Sequence, residues 1–176
     1  MNLETERLLL RPWKEEDAND LYQEAKNPNV GPIAGWPIHT SLENSLDIIK
    51  NVLSKGYTFA VVLKSNNKAV GSIGLMIGKE SNIDIKDDEA EIGYWIGEPY
   101  WGQGLIPEAV RELIRYSFED LKLKKLWCGY FDGNIKSKRT QEKCGFKYCY
   151  TKENQPWPLM NDIRTEHITC LEKEIN

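Results

Sequence analysis

The pattern of apolar positions divides the chain into seven short strands and four helices. Strands are predicted where apolar residues alternate or cluster, at 8–11, 57–63, 69–77, 90–96, 125–131, 146–151 and 166–171. Helices are predicted at 14–26, between a Thr40 or Ser41 cap and Gly56, from about 105 to 121, and within 132–144. Residues 27–40, rich in Pro and Gly, and the polar residues 80–88 are expected to be loops. The order predicts an α/β (α+β) fold in which a mixed sheet carries helices on both faces, in a single domain spanning 1–176.

The turn between the strand at 90–96 and the long helix predicts a site for phosphate groups. It contains Trp101, Gly102, Gln103 and Gly104, and the helix starts at about Leu105. The first N–H groups of a helix have no intrahelical partner, and the helix dipole adds partial positive charge there. Glycine lets a ligand approach the backbone closely and permits positive φ. Glu108 in the first helical turn would repel an anion, so we expect its carboxylate to face away from the turn.

Two common phosphate-binding motifs do not fit this turn. A nucleoside-triphosphate loop needs Gly-Lys-Ser or Gly-Lys-Thr, and neither tripeptide occurs in the sequence. A dinucleotide-binding turn needs a third glycine where this chain has Pro107. The anion is therefore expected to belong to another class of ligand.

Three segments, in this order, resemble the GNAT acetyltransferase superfamily, in particular its ribosomal-protein alanine N-acetyltransferase branch. They are the opening Glu4 to Arg11, the turn Tyr100 to Gly104 followed by Pro107-Glu108-Ala109, and Asn134 to Ser137 followed by Glu142 to Phe146. The resemblance implies a mostly antiparallel central sheet and acetyl-coenzyme A as the co-substrate. It implies cofactor contacts from two groups of residues: Trp95, Ile96, Gly97, Trp101, Gly102, Gln103, Gly104 and Leu105 in the first, and Asn134 and Ser137 in the second.

The chemistry implied by the resemblance is direct transfer of an acetyl group to an amine. Such a transfer needs a base for the amine proton and a donor beside the departing thiolate. Glu91, on the strand before the turn, is the leading base, with Asp162, Glu166 or water as alternatives. Many family members have a tyrosine acid where this chain has Gln141, so Ser137 is the candidate donor. The basic residues after Asn134 could meet the 3′-phosphate of coenzyme A or could simply be solvated: Lys136, Lys138, Arg139 and Lys143.

The acceptor is expected to be a primary amine, either a protein N-terminus or a small molecule. Trp36 and Trp157 are the candidate walls of its cleft, although half-buried tryptophans in loops often serve only as anchors. Two other functions stay open at this point. One is a non-catalytic acyl-CoA-binding module, which Gln141 favours; the other is transfer of a longer acyl group, which space near Gly93 and Gly129 would favour.

Composition narrows the class of protein further. The chain has 176 residues, 40% of them hydrophobic and 28% charged, and a formal net charge of −4, which argues against general nucleic-acid binding. We expect no membrane partner and no metal, a cytoplasmic location, and four reduced cysteines, of which Cys128 is expected to lie in the core. A homodimer formed through the last strands is compatible with the resemblance alone.

Overall fold

One eight-stranded sheet organises the chain in the computed structural model, which describes residues 1–174. The strands are β1 Leu3–Glu4, β2 Leu8–Arg11, β3 Tyr57–Leu63, β4 Ala69–Ile77, β5 Glu89–Ile96, β6 Lys125–Phe131, β7 Lys147–Trp157 and β8 Asp162–Glu172. Their order across the sheet is β1-β2-β3-β4-β5-β6-β8-β7. Neighbouring strands are antiparallel except for the parallel pair β5 and β6, so the expected mixed, mostly antiparallel sheet is confirmed.

Helices cover both faces of this sheet. They are α1 Ala18–Ala25, α2 Gly31–Ala34, α3 Leu42–Ile48, α4 Leu105–Glu119 and α5 Ile135–Lys143. A π-helical segment, Ile49–Leu53, continues α3. Because side chains alternate along a strand, β3 supplies Val61 to the core under α4 and supplies Ala60 and Val62 to the core under α1. None of the helices in residues 1–174 is long and apolar enough to cross a membrane.

Two local predictions were wrong. The loop predicted at 27–40 contains the one-turn helix α2, whose end is formed by Gly35 at a φ of +97°. The last two strands are each 11 residues long and extend well beyond the predicted 146–151 and 166–171. Irregularities in the β7–β8 register, with Asn154 at a φ of +52°, let the polar part of β7 pair with β8. Pro156 is tolerated because β7 is an edge strand.

The expectation of four reduced cysteines also needs correction. Cys149 and Cys170 form a disulfide between β7 and β8, with Cα atoms 6.4 Å apart. Because Cys149 lies at the register shift between Tyr148 and Tyr150, it is placed beside Cys170 on the neighbouring strand. Cys144 is a free thiol, and Cys128 is a free thiol buried in the core, as expected.

The parallel strands β5 and β6 are paired over only part of their length. Pairing runs from Glu89 with Lys125 to Ile92 with Cys128, although β5 continues to Ile96 and β6 to Phe131. Within the described residues, the facing edges beyond this point have no strand partner. This opening lies next to the start of α4, where an extended ligand can add to the strand edge.

Candidate active site

The turn before α4 presents a set of unpaired backbone N–H groups. Gly102 and Gly104 have φ angles of +74° and +73°, and Gly104 is the N-cap of α4. Within residues 1–174, no hydrogen-bond acceptor is found for the N–H groups from Gly102 to Ile106. A Cβ atom at Gly102 would meet no other atom within 4 Å, so its surroundings are open. The geometry suits an anion held by backbone N–H groups and the helix dipole.

Hydrogen bonds from Thr5 and Arg7 hold the turn and the first turn of α4 in place. Arg7 Nη1 donates to the Gln103 carbonyl at 2.8 Å, and Arg7 Nε donates to Glu108 Oε2 at 2.7 Å. Thr5 Oγ1 and the Arg7 backbone N–H donate to Glu108 Oε1 at 2.5 and 2.8 Å. Glu108 therefore faces away from the anion site, as expected. Burial alone would raise the pKa of Glu108, but the hydrogen bonds from Thr5 and Arg7 outweigh it and hold that pKa below its ordinary value.

Replacing this carboxylate should weaken the fold in a pH-dependent way. Glu108→Gln is expected to lower the free energy of unfolding at pH 7 by about 1–2 kcal/mol, because the charged acceptor of several hydrogen bonds is lost. Since the native pKa lies below that of an unfolded glutamate, this stabilisation is present above about pH 4.3 and is lost as the pH falls through the native pKa. Urea unfolding of both proteins from pH 7 to pH 3 measures the difference, and a difference independent of pH would contradict this role.

The open edge of β5 is centred on Tyr94. The Gly97 N–H already donates to the Val70 carbonyl on β4 at 2.8 Å, so Trp95 and Gly97 direct their backbone groups toward β4. The Ile96 carbonyl accepts from Trp101 Nε1 at 3.0 Å. The backbone groups of Tyr94 and the Ile96 N–H are therefore those that face the opening, and the cofactor contacts expected of Trp95, Ile96 and Gly97 stay a prediction.

A hydrogen-bonded chain of side chains connects β5, α5 and β8 beside the opening. The Tyr94 and Ser137 hydroxyl oxygens are 2.8 Å apart, and Gln141 Nε2 donates to Ser137 Oγ at 3.2 Å. Gln141 also donates to the Gly129 carbonyl at 3.0 Å and accepts from Thr169 Oγ1 at 2.8 Å. Gln141 is thus a buried structural residue that holds the Ser137 hydroxyl in place.

Asn134 and Tyr94 complete this side of the site. Asn134 Oδ1 caps α5 by accepting from the Ser137 N–H at 3.3 Å, so the predicted capping role is present in the structure. Burial, and next the nearby Cys128, raise the pKa of Tyr94 far above its ordinary value despite its hydrogen bonds to Ser137 and Gln141. The phenol is therefore neutral near pH 7 and available as a hydrogen-bond donor.

Two carboxylates, those of Glu91 and Glu166, lie on the face of the sheet opposite to the Tyr94 side chain. Glu91 is buried and accepts from Ser81 Oγ at 2.6 Å and from the Asn82 N–H at 2.9 Å. The Glu166 side chain lies over Gly129, where an added Cβ atom would be 2.9 Å from Glu166 Cδ. Burial first, and the charge of Glu91 second, raise the pKa of Glu166 to about 7, while Lys152 opposes this shift. Glu166 is therefore poised to gain or lose a proton near neutral pH.

Comparison with known proteins agrees with this geometry. Residues 7–147 match the acetyltransferase (GNAT) domain family. An N-acetyltransferase named p20 from Bacillus licheniformis is 34% identical over 129 residues, which are 70% of each chain. The chain belongs to the GNAT family of N-acetyltransferases.

Solved structures show the same fold. The ribosomal-protein-S5-alanine acetyltransferase from Vibrio fischeri has a TM-score of 0.76 and 19% identity, with coverage of 99% of this chain and 97% of that one. The microcin C7 self-immunity acetyltransferase MccE, solved in complex with acetyl-CoA and AMP, has a TM-score of 0.76 and 20% identity, with coverage of 96% and 94%. At this level of identity the likeness establishes the fold alone.

Aromatic side chains of this GNAT enzyme line the far end of the opening. The Trp36 and Trp95 rings are 5.2 Å apart, and the Phe131 and Trp157 rings are 4.9 Å apart. Trp157 Nε1 donates to the Gly35 carbonyl at 2.7 Å, which joins the α2 segment to the β7–β8 hairpin. Trp157 therefore contacts the segment that carries Trp36, through Gly35.

Asp162 has a different environment from Glu166. It lies at the start of β8, opposite Trp157 in the register, and its carboxylate forms an ion pair with Arg164 at 3.0 Å. Because that charge is neutralised on the surface, Asp162 is a weaker candidate base than Glu166.

Sequence reasoning missed Tyr94 as a site residue. Tyr94 alternates with Gly93 and Trp95 along β5, and its side chain packs against the core under α4. What the alternation did not show is that α5 brings the Ser137 hydroxyl against this phenol. A buried tyrosine needs a partner for its hydroxyl, and this requirement was the signal available in the sequence.

Proposed function

We propose that this GNAT enzyme transfers an acetyl group from acetyl-CoA to a primary amine, on a protein N-terminus or a small molecule. The amine attacks directly in a ternary complex, and residues 1–176 act as one catalytic domain in the cytoplasm. The observation that carries the proposal is the position of Glu166. Its carboxylate has a pKa of about 7 and lies over Gly129, at the opening between β5 and β6.

The residues around the opening fit acetyl-CoA. The unpaired N–H groups from Gly102 to Ile106 would hold the pyrophosphate, and the open edge of β5 at Tyr94 would pair with the pantetheine amides. When bound, the co-substrate supplies an activated acyl thioester. Support also comes from MccE, which shares the fold and was solved with acetyl-CoA.

Glu166 would act as the base that removes the proton from the incoming amine. A base works best when its pKa is near the working pH, and Glu166 meets this condition. Glu91, the leading candidate from the sequence, accepts hydrogen bonds from Ser81 and Asn82, and its charge is the second cause, after burial, of the raised pKa of Glu166. In this arrangement Glu91 is a positioning residue and Glu166 is the catalytic one.

The hydroxyl groups of Ser137 and Tyr94 would donate hydrogen bonds to the departing thiolate. Ser137 Oγ accepts from Gln141, so its own proton is free to point to Tyr94 or to a ligand. Tyr94 keeps its proton because its pKa is raised, so it can donate through or beside Ser137. These donors stabilise charge without any acyl-enzyme intermediate.

Removing either hydroxyl should slow the chemical step. We expect Ser137→Ala and Tyr94→Phe each to lower kcat about tenfold, with the KM for acetyl-CoA within about threefold of the wild type. The double variant should lose little more than either single one, because the two hydroxyls act as a unit. Steady-state kinetics on the four proteins tests this expectation. A rise in KM without a fall in kcat would assign Ser137 to cofactor binding.

The structure weakens the support for the two other functions. The non-catalytic module drew its support from Gln141, which stands where many family members have a tyrosine. In this chain another tyrosine, Tyr94, places its phenol within hydrogen-bond distance of Ser137. Transfer of a longer acyl group needed space at Gly129, and the Glu166 side chain occupies that space. Gly93 retains some room, since an added Cβ atom would be 3.7 Å from the nearest side-chain atom, Met76 Cε.

Thiol release from acetyl-CoA in the presence of amines is the direct test. The panel holds peptides with free N-termini, polyamines, aminoglycosides and amino acids, each compared with a control that lacks amine. Amine-dependent release supports the proposal and identifies the acceptor class. Binding of acetyl-CoA without release for any amine would favour the acyl-CoA-binding module, and absence of binding would overturn the proposal.

A further inference from the structure

Lys136 contacts the turn before α4 through an aromatic ring. Its Nζ atom lies over the face of the Trp101 ring, 3.3 Å from the ring centroid, which is a cation–π contact. Trp101 is itself fixed, because its Nε1 donates to the Ile96 carbonyl at 3.0 Å. The first turn of α5 therefore places one ammonium group directly beside the glycine turn.

Within the described residues, this ammonium group forms no ion pair. Among residues 1–174, no carboxylate lies within ion-pair distance of Lys136. The charge of Lys136 acts on Glu98, whose carboxylate already accepts from Asn27 Nδ2 at 2.6 Å and Asn29 Nδ2 at 3.1 Å. The contact that holds Lys136 Nζ is therefore an aromatic face, which holds a cation weakly where solvent has access.

We propose that Lys136 is a binding residue for the pyrophosphate of acetyl-CoA, held ready on Trp101 and transferred to the anion when the ligand binds. This inference rests on the proposed function. It assigns a role to one of the four basic residues of α5. Trp101 lies immediately before Gly102, so its ring places the cation next to the N–H groups that would receive the phosphates. A phosphate oxygen offers Lys136 a stronger partner than the ring does.

The test uses ligands that lack successive parts of coenzyme A. Binding of CoA, dephospho-CoA and pantetheine to the purified chain is measured by calorimetry at low salt. Lys136→Gln is expected to raise the Kd for CoA and for dephospho-CoA about tenfold, because both contain the pyrophosphate. Its Kd for pantetheine should stay within about twofold of the wild type, and Lys136→Arg should restore most of the loss.

Lys138→Gln is the matched control. Lys138 is an exposed lysine on the same helix, two positions further along, and therefore faces a different direction. It should leave all three Kd values within about twofold of the wild type. The defect of Lys136→Gln should also shrink toward 0.5 M salt, since salt screens an exposed charge.

The remaining outcomes separate the two levels of the argument. A defect of Lys136→Gln that is present for CoA and absent for dephospho-CoA would assign Lys136 to the 3′-phosphate and overturn the proposal. Equal Kd values for the wild type and Lys136→Gln with every ligand would overturn it as well. Failure of the wild-type chain to bind CoA would instead overturn the proposed function.

Discussion

Glu166→Gln should lower kcat at pH 8 by about a hundredfold, because an amide of the same shape cannot accept the amine proton. In the wild type, kcat/KM is expected to rise as the pH increases through about 7, the pKa of Glu166. In the variant this rising limb should disappear, and the remaining activity should follow the ionisation of the free amine alone. The measurement is a pH–rate profile from pH 5.5 to 9 with one amine and saturating acetyl-CoA.

The stability of the same variant is its control. Burial and Glu91 raise the pKa of Glu166, so its protonated form is favoured in the folded state and its ionised form opposes folding. The stability contributed by the protonated form is present at low pH and is lost as the pH rises through about 7. Glu166→Gln should therefore be at least as stable as the wild type at pH 8. A profile that keeps its limb near pH 7 would remove Glu166 from the mechanism.

Gly102→Ala should raise the KM for acetyl-CoA about thirtyfold while kcat at saturation changes little. The φ angle at this position is +74°, and the added methyl group would occupy open space at the turn that carries the unpaired N–H groups. An L-residue in this conformation costs about 1–2 kcal/mol of stability, so the substitution also weakens the fold slightly. Initial-rate measurements at varied acetyl-CoA give the two constants.

Gly56→Ala separates backbone strain from blocked access. Gly56 also has a positive φ, +57°, and its added methyl group would approach only Glu80 Oε2, at 3.8 Å. It lies after the π-helical segment that follows α3, outside the turn. We expect a comparable loss of stability and an unchanged KM for acetyl-CoA. If both variants shift the KM equally, the effect of Gly102→Ala comes from general strain and the phosphate site lies elsewhere.

The central strands and the start of α4 could be predicted from the sequence because the patterns that determine them are local. Apolar alternation identified β3, β4, β5 and β6, and glycine placement located the start of α4. Thr40 and Ser41 were both expected as caps of the second helix, and the structure selects Ser41, whose hydroxyl accepts from the Asn44 N–H at 2.9 Å. In each case the residues that decide the structure are neighbours in the chain.

The missed features depend on contacts between distant residues. The four-residue helix α2 is tied down by the hydrogen bond from Trp157 to Gly35, across 122 positions of the chain. The polar half of β7 becomes a strand because β8 pairs with it through two register shifts. Those shifts also decide that Cys149 reaches Cys170.

The same difference between local signals and long-range contacts applies to the candidate site. The glycine turn before α4 and the Asn134 cap follow from short motifs, so both local structures were predicted, while phosphate binding by the turn stays a prediction. The relation of Glu166 to Glu91 depends on the sheet order, in which β8 follows β6, and this order is not encoded in any one segment. For this reason the sequence offered three carboxylates as the base, whereas the structure distinguishes them by burial and by partners.

The close fit of Glu166 over Gly129 links two positions that lie 37 residues apart in the sequence. A methyl group at position 129 would come within 2.9 Å of Glu166 Cδ, so a glutamate at 166 keeps its place only if residue 129 has no side chain. Substitutions at these two sites should therefore be correlated during divergence. Homologues that carry alanine or a larger residue at 129 should have a shorter side chain at 166, and with it a different route for the amine proton.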